Sequence, residues 1–138
     1  MKYFFSTILF LTFTITSFPQ FTEFHPELEW YTIKSKHADV HFHDGAERTA
    51  QVVAKIIDDV WDPICSLYGY QPDRVHFIIK DIDDYSNGAT YFFDNKIEIW
   101  TSALDFDLRG AHNWLRNVIS HEFTHMVQIQ SAMKSSRG

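Results

Sequence analysis

Apolar side chains recur every three or four positions between residues 46 and 68, which predicts a long amphipathic helix that ends before Gly69. Pro63 lies inside this stretch. Because proline has no N–H and its ring collides with the preceding turn, it predicts a kink near Asp62, or a second helix that begins there with Asp62 as its cap. In either case we expect the segment to pack on a sheet.

A second helical pattern occupies residues 113–130, and we expect this helix to begin between Gly110 and Asn113. Apolar residues cover most of its circumference, namely Trp114, Leu115, Val118, Ile119, Phe123, Met126 and Val127. A helix that is apolar on nearly every side belongs inside a protein. The pattern therefore predicts a buried helix, in which any ionisable side chain needs a partner.

Shorter stretches have the patterns of strands. Residues 75–80 form a nearly continuous apolar run, which predicts a central strand buried on both faces. Residues 81–88 predict a polar loop. The other predicted strands cover residues 30–34, 39–43, 89–93 and 96–100, and the last two form a hairpin that turns at Asp94 and Asn95. The predicted fold class is therefore α+β, with a small mixed or antiparallel sheet, a long packing helix and a second, buried helix.

Composition and charge indicate one globular domain. The sequence has 138 residues, of which 45% are hydrophobic, and a formal net charge of -6. Lys and Arg are scattered, so we expect no nucleic-acid partner. Cys65 is the single cysteine, which excludes a disulfide within the chain. Its expected place on the apolar side of a helix predicts a small buried hydrophobe and not a nucleophile.

The N-terminal residues predict an exported protein. Residues 1–18 begin with a positive charge and an apolar segment too short to cross a bilayer, which is typical of a signal peptide. A retained N-terminal anchor is the alternative. An extended tether at residues 19–29, a main lobe at 30–131 and a polar tail at 132–138 follow. We expect a periplasmic, surface or secreted location, with no stable membrane span once the leader is removed.

The clearest chemistry belongs to His121, Glu122 and His125, in the order His-Glu-Phe-Thr-His on the second predicted helix. At about 100° per residue, a spacing of four returns His125 to within roughly 40° of His121, so both imidazoles can bind one ion. Glu122 is turned about 100° from His121, which suits a general base better than a ligand. The sequence therefore predicts a zinc site with His121 and His125 as ligands and Glu122 as the catalytic base.

This H-E-x-x-H pattern resembles the gluzincins, the thermolysin-like zinc metallopeptidases. Flanking residues narrow the resemblance to the peptidase-MA-like domains of secreted bacterial proteins, and it covers about residues 30–130. These flanking elements are Asn87-Gly88-Ala89, the hairpin with Tyr91-Phe92-Phe93 and Ile97-Glu98-Ile99-Trp100, Arg109-Gly110 and Trp114-Leu115. The resemblance implies a thermolysin-like N-terminal lobe that hydrolyses a peptide or protein substrate.

The resemblance also implies a substrate strand and a missing ligand. The first hairpin strand matches the edge strand that pairs with the substrate backbone in thermolysin-like enzymes, which assigns substrate binding to Asn87, Gly88 and Ala89. In gluzincins the third zinc ligand is a Glu on a later helix, yet no Asp, Glu or His follows His125 here. We therefore expect a truncated lobe that hydrolyses little on its own. If this chain supplies the third ligand itself, the candidates are Asp105, Asp107 and His112.

Other functions stay open. The main alternative is a catalytically inactive, peptidase-like binding module linked to a downstream domain such as a β-propeller. A zinc hydrolase of the deformylase type is a third hypothesis, although the leader argues against it. The metzincin pattern fails, because Gln128 and Ser131 stand where it requires Gly and His.

Two other stretches have residues that bind metals. His41 and His43 would share one face of a strand, where they could bind a metal or simply be solvated or hydrogen-bonded. The acidic residues at 81–88 begin like a calcium loop, but Tyr85 stands where an oxygen ligand is needed and Ser86 where the turn glycine belongs. Turn chemistry explains that composition equally well.

Overall fold

The structure is a computed structural model, and it describes residues 25–82, 86–101 and 113–136. Within these ranges the chain forms one sheet and two helices, in the order β1 (Trp30–Lys34), β2 (Ala38–His43), α1 (Glu47–Tyr68), β3 (Val75–Lys80), β4 (Ser86–Tyr91), β5 (Lys96–Thr101) and α2 (Trp114–Ser135). This confirms the predicted α+β class. The predicted signal peptide at residues 1–18 lies outside the described residues.

The sheet is mixed, with its strands in the order β1-β2-β3-β5-β4. β1 is antiparallel to β2, and β4 is antiparallel to β5, whereas β3 is parallel to both β2 and β5. Short turns join the antiparallel pairs, and the parallel step from β2 to β3 crosses over through α1. β4 is consequently an edge strand of the described sheet, with one side of its backbone turned away from β5.

Both helices pack on the same face of the sheet. Trp61 of α1 stacks on Phe123 of α2 with ring centroids 4.5 Å apart, which joins the helices above the strands. The inward strand residues form one core with the helices, and they are Ala38, Val40, Phe42, Val75, Phe77, Ile79, Ile97 and Ile99. Because α2 also packs against β4 and β5, one flank of this helix faces the edge of the sheet.

The opposite face of the sheet is polar. Glu98 is 8% exposed there, between Lys80 and Lys96, whose Nζ atoms each lie 3.0 Å from a carboxylate oxygen. His76 and Ile78 of β3 share this face and are partly exposed. β3 is central as predicted, but the expectation that both its faces are buried is wrong. The described helices cover one face only, and the outward positions of β3 include the polar His76 and Lys80.

α1 continues through Pro63 as a single helix, so the predicted alternative of a second helix capped by Asp62 is wrong. Proline costs this helix one backbone hydrogen bond. The side chains of Trp61 and Cys65, on either side of it, are buried in the core, and their packing keeps the helix continuous. Gly69 then ends α1 in the left-handed conformation, with φ 60.

Cys65 lies on the buried side of α1 and is 9% exposed. Burial, with a smaller contribution from the nearby Asp62 carboxylate, raises the pKa of its thiol to about 11. The side chain is therefore a protonated thiol in the core at neutral pH, which confirms the prediction of a buried hydrophobe.

The predicted hairpin is present with a different register. Tyr91 pairs with Lys96, so the residues between them form a longer turn than the predicted two. Phe92 and Phe93 belong to this turn, although their apolar side chains extend the strand pattern. β4 begins earlier than predicted. It covers Ser86–Tyr91, and its first three residues are polar or small residues that were expected in a loop.

Two contacts fix this turn. Asn95 has a φ of 49, the left-handed conformation that was expected of it. Gln130 of α2 donates from Nε2 to the carbonyl oxygen of Phe92 and to Oδ1 of Asn95, both at 2.6 Å. The turn between β4 and β5 is thus attached to the C-terminal half of α2.

The ends of the described chain also differ from the sequence-based expectation. A turn at Pro26 and Glu27 interrupts the tether, which was expected to be extended, and the N–H of Leu28 donates to the carbonyl of His25 at 3.3 Å. α2 extends to Ser135, so the first residues of the predicted polar tail are helical. The helix continues because Lys134 and the small residues around it do not oppose helix formation.

Candidate metal centre on the second helix

α2 begins where the sequence predicts. Its N-cap is Asn113, whose side-chain oxygen accepts a hydrogen bond from the N–H of Arg116 at 3.2 Å. One face of the helix is buried in the core, comprising Val118, Ile119, Glu122, Phe123, Met126 and Val127. The expectation that the helix is buried on most sides is therefore wrong, because its remaining face is exposed in the part of the chain that the structure describes.

His121 and His125 lie on that exposed face. Their Nε2 atoms are 3.0 Å apart, and their rings are nearly perpendicular, with centroids separated by 4.5 Å. The helical spacing of four residues puts one imidazole directly above the other. The structure thus brings the two predicted metal ligands together through the same nitrogen of each ring.

The geometry of this pair fits a zinc ion. Two nitrogens bound to a tetrahedral zinc ion at about 2.0–2.1 Å lie roughly 3.3 Å apart, close to the 3.0 Å observed between the two Nε2 atoms. Imidazole nitrogen is a common zinc ligand. Among the described residues, however, no group of three or more His, Cys, Asp and Glu side chains could hold a metal ion. Asp105, Asp107 and His112, the candidates for a third ligand within the chain, lie outside those residues.

Glu122 occupies a different environment from the two histidines. It is 9% exposed and lies on the flank of α2 that faces β4. The hydroxyl of Thr90 on β4 donates to its side-chain Oε2 at 2.8 Å and also lies 2.9 Å from its main-chain oxygen. Glu122 is thus turned away from His121 and His125 around the helix axis, as predicted. Its carboxylate is buried, whereas the two imidazoles are exposed.

Gly88 allows β4 to approach the helix this closely. A Cβ atom at this position would lie 2.6 Å from Cγ of Glu122 and 2.7 Å from Cγ2 of Val118. Both distances are far below van der Waals contact, so any side chain here would displace the helix or the strand. The glycine therefore fixes the separation between the edge strand and the motif helix.

The three residues predicted to bind substrate all belong to β4. Gly88 and Thr90 point toward α2, so alternation along the strand places Asn87 and Ala89 on the opposite face. Asn87 is exposed and Ala89 is half-buried. Thr90 could not be identified from the sequence, because its contact with Glu122 depends on the packing of β4 against α2 and not on any local pattern.

His41 and His43 do not form a joint site. His43 is buried, with its Nδ1 2.8 Å from the carbonyl of Asp44 and its Nε2 accepting from the N–H of Asp81 at 3.1 Å. His41 instead contacts His76 on the neighbouring strand, with Nε2 3.0 Å from Nδ1. Burial, and then the neighbouring His76, lower the pKa of His41. The prediction of a hydrogen-bonded face is confirmed for both.

The polar loop expected at residues 81–88, which begins like a calcium loop, is shorter than predicted. Residues 83–85 lie outside the described residues, and Ser86, Asn87 and Gly88 are part of β4.

Neither helix in the described part of the chain has an apolar stretch long enough to cross a membrane. No family model, no curated protein and no solved structure matches this chain.

Proposed function

We propose that this protein is a zinc-dependent peptidase, in which His121 and His125 bind the metal and Glu122 is the general base. The observation that carries this proposal is the convergence of two Nε2 atoms, 3.0 Å apart, one residue along the helix from a buried and oriented carboxylate. A carboxylate held beside two metal-binding imidazoles is the arrangement that hydrolysis by an activated water requires. This is also the reaction that the H-E-x-x-H pattern implies.

The chemistry divides between the ion and the protein. A zinc ion held by His121 and His125 would polarise a carbonyl and lower the pKa of a water molecule to about 7. Glu122 then accepts the proton of the attacking water and passes it to the nitrogen of the leaving amine. Its burial between α2 and β4 keeps competing water away from the carboxylate. The two exposed imidazoles would hold the metal on the solvent-facing side of α2.

β4 is the proposed docking strand for the substrate. It is an edge strand of the described sheet, so its outer backbone groups can pair with an extended peptide as one further strand. Its inward side chains contact the helix that bears Glu122. A peptide paired with β4 would lie alongside that carboxylate, and we propose a peptide or protein as the substrate of an exported enzyme.

A catalytic zinc site needs three protein ligands and one open position. Two are proposed here, and the described residues offer no group of three that could hold the ion. Asp105, Asp107 and His112, which lie outside the described residues, are the candidates within this chain for the third ligand. Chelator-sensitive turnover of peptides by the 138-residue chain would favour one of these three.

Replacement of Glu122 by Gln in the full-length protein tests this function. Glu122→Gln should keep the zinc content and lower kcat by about 10²- to 10⁴-fold, because it removes the base and preserves the shape. Metal analysis and peptide hydrolysis measure the two effects. Glu98→Gln is a matched control, since Glu98 is equally buried but lies on the opposite face of the sheet.

Three results of this experiment would contradict the proposal. Loss of zinc from Glu122→Gln would make Glu122 a ligand. Full activity of the variant would show that Glu122 is not the general base. An equal loss of kcat in Glu98→Gln would attribute the effect to folding.

A further inference from the structure

Thr90 makes a contact that its position on β4 does not require. The residues that pair with Gly88 and Thr90 on the neighbouring strand are Ile99 and Ile97, and both are fully buried apolar side chains of the core. At the same level of the sheet, β4 presents a hydroxyl to the helix. That hydroxyl has one proton, and both oxygens within its reach, at 2.8 and 2.9 Å, belong to Glu122.

The carboxylate is confined on two further sides. Cγ and Cδ of Glu122 lie so close to Gly88 that a Cβ there would be 2.6 and 3.0 Å from them. Val118, one turn earlier on α2, packs at the same place. The methylene groups of Glu122 are therefore fixed by packing, and the hydroxyl of Thr90 fixes the remaining rotation of the carboxylate by occupying Oε2.

We propose that Thr90 is a positioning residue for Glu122, which holds Oε2 by a hydrogen bond and leaves Oε1 to exchange the proton during hydrolysis. This inference rests on the proposed function. A glutamate side chain has several rotatable bonds, and proton transfer requires a correctly oriented oxygen within hydrogen-bonding distance. Thr90 provides that orientation from a separate strand, so it acts through Glu122 and not on the substrate.

The test compares Thr90→Val with Thr90→Ser in the full-length protein. Val has the size and shape of Thr without the hydroxyl, whereas Ser keeps the hydroxyl. Because hydrogen bonds to charged groups are among the stronger ones, Thr90→Val should lower kcat by about 10- to 100-fold. KM and zinc content should stay unchanged, and Thr90→Ser should recover most of the rate.

Thr32→Val is the matched control. Thr32 lies on the opposite edge strand, and its hydroxyl also forms a hydrogen bond with a titratable side chain, at 2.8 Å from Nδ1 of His41. This variant should retain the wild-type kcat. A structural role for Thr90 would lower the activity of the Val and Ser variants together, or would change KM and zinc content, and either result overturns the proposal.

A second measurement separates this inference from the proposed function. Crystal structures of the wild-type protein and Thr90→Val locate the Glu122 carboxylate without any need for turnover. The proposal expects the carboxylate to leave its wild-type position in Thr90→Val, and an unmoved carboxylate overturns it. If the wild-type protein binds zinc but hydrolyses no peptide, the proposed function fails and the catalytic role of Thr90 fails with it. The displacement of the carboxylate would then still be measured on its own.

Discussion

Two pairs of histidines in this protein bring ring nitrogens to the same distance, 3.0 Å, in different surroundings. His121 and His125 lie one turn apart on α2, whereas His41 and His76 lie on the neighbouring strands β2 and β3. The distance does not distinguish the two pairs. They differ in which ring nitrogens meet and in the other groups that those rings contact.

The strand pair uses its nitrogens for hydrogen bonds within the protein. His41 has Nδ1 2.8 Å from the hydroxyl of Thr32 and Nε2 3.0 Å from Nδ1 of His76. Nδ1 of His76 also lies 3.9 Å from a carboxylate oxygen of Asp39, whose other oxygen accepts from Arg74 at 2.7 Å. Each of these groups already has a partner, so the strand pair is a hydrogen-bond network of the outer sheet face.

The helix pair has a different arrangement. Both rings of His121 and His125 are exposed, and they meet through Nε2 alone. A buried carboxylate, Glu122, lies between them in sequence and is oriented by β4. Two exposed rings that meet through Nε2, beside a buried carboxylate, favour a metal centre, whereas the rings of the strand pair also contact Thr32 and Asp39.

The largest expected difference between the two pairs is in zinc affinity. Structural zinc sites gain about 10–16 kcal/mol from four ligands, or roughly 3 kcal/mol for each. His121→Ala in the full-length protein should therefore weaken zinc binding on the order of 100-fold. His41→Ala should leave the affinity unchanged. Competition titration with a chromophoric chelator measures both, and equal affinities for wild type and His121→Ala would break the distinction.

A smaller effect is expected where β4 meets the helix pair. Gly88→Ala places a Cβ within 2.6 Å of Glu122 and 2.7 Å of Val118, so it should lower the free energy of unfolding by about 1–3 kcal/mol. Denaturant titration measures the loss. Gly45→Ala is a useful control, because a Cβ there meets nothing within 4 Å. Any loss of stability in that variant comes from backbone strain at its φ of +85 and not from a collision. A Gly88→Ala protein as stable as wild type would mean that β4 is not held against Glu122.

The smallest expected effect concerns the strand pair and acid. Burial, and then His76, lower the pKa of His41. The unfolded chain therefore takes up its proton first as the pH falls through about 6.5, and the folded state loses stability there. Asp39 acts in the opposite sense, since its carboxylate favours the protonated ring. Denaturation between pH 5 and 8 should show a shallower decline for His41→Gln than for wild type, and an identical slope would contradict this.

The sequence predicted the local part of this architecture. The two helices, the central place of β3 and the spacing of His121 and His125 follow from periodicity within short segments. The contact between Thr90 and Glu122 could not be predicted, because it depends on how β4 packs on α2 across a long stretch of chain. The hairpin register was also missed. Apolar Phe92 and Phe93 continue the strand pattern into a turn that Gln130 stabilises from a distant helix.

The central claim is that the helix pair is the metal centre, and anomalous diffraction at the zinc edge tests it most directly. Crystals of the full-length protein grown with zinc should give one strong peak about 2.0–2.1 Å from Nε2 of both His121 and His125. Glu122 should remain outside coordination distance, with its Oε2 near Thr90. A peak between His41 and His76, or no peak at the helix pair in crystals that contain bound zinc, would contradict the account.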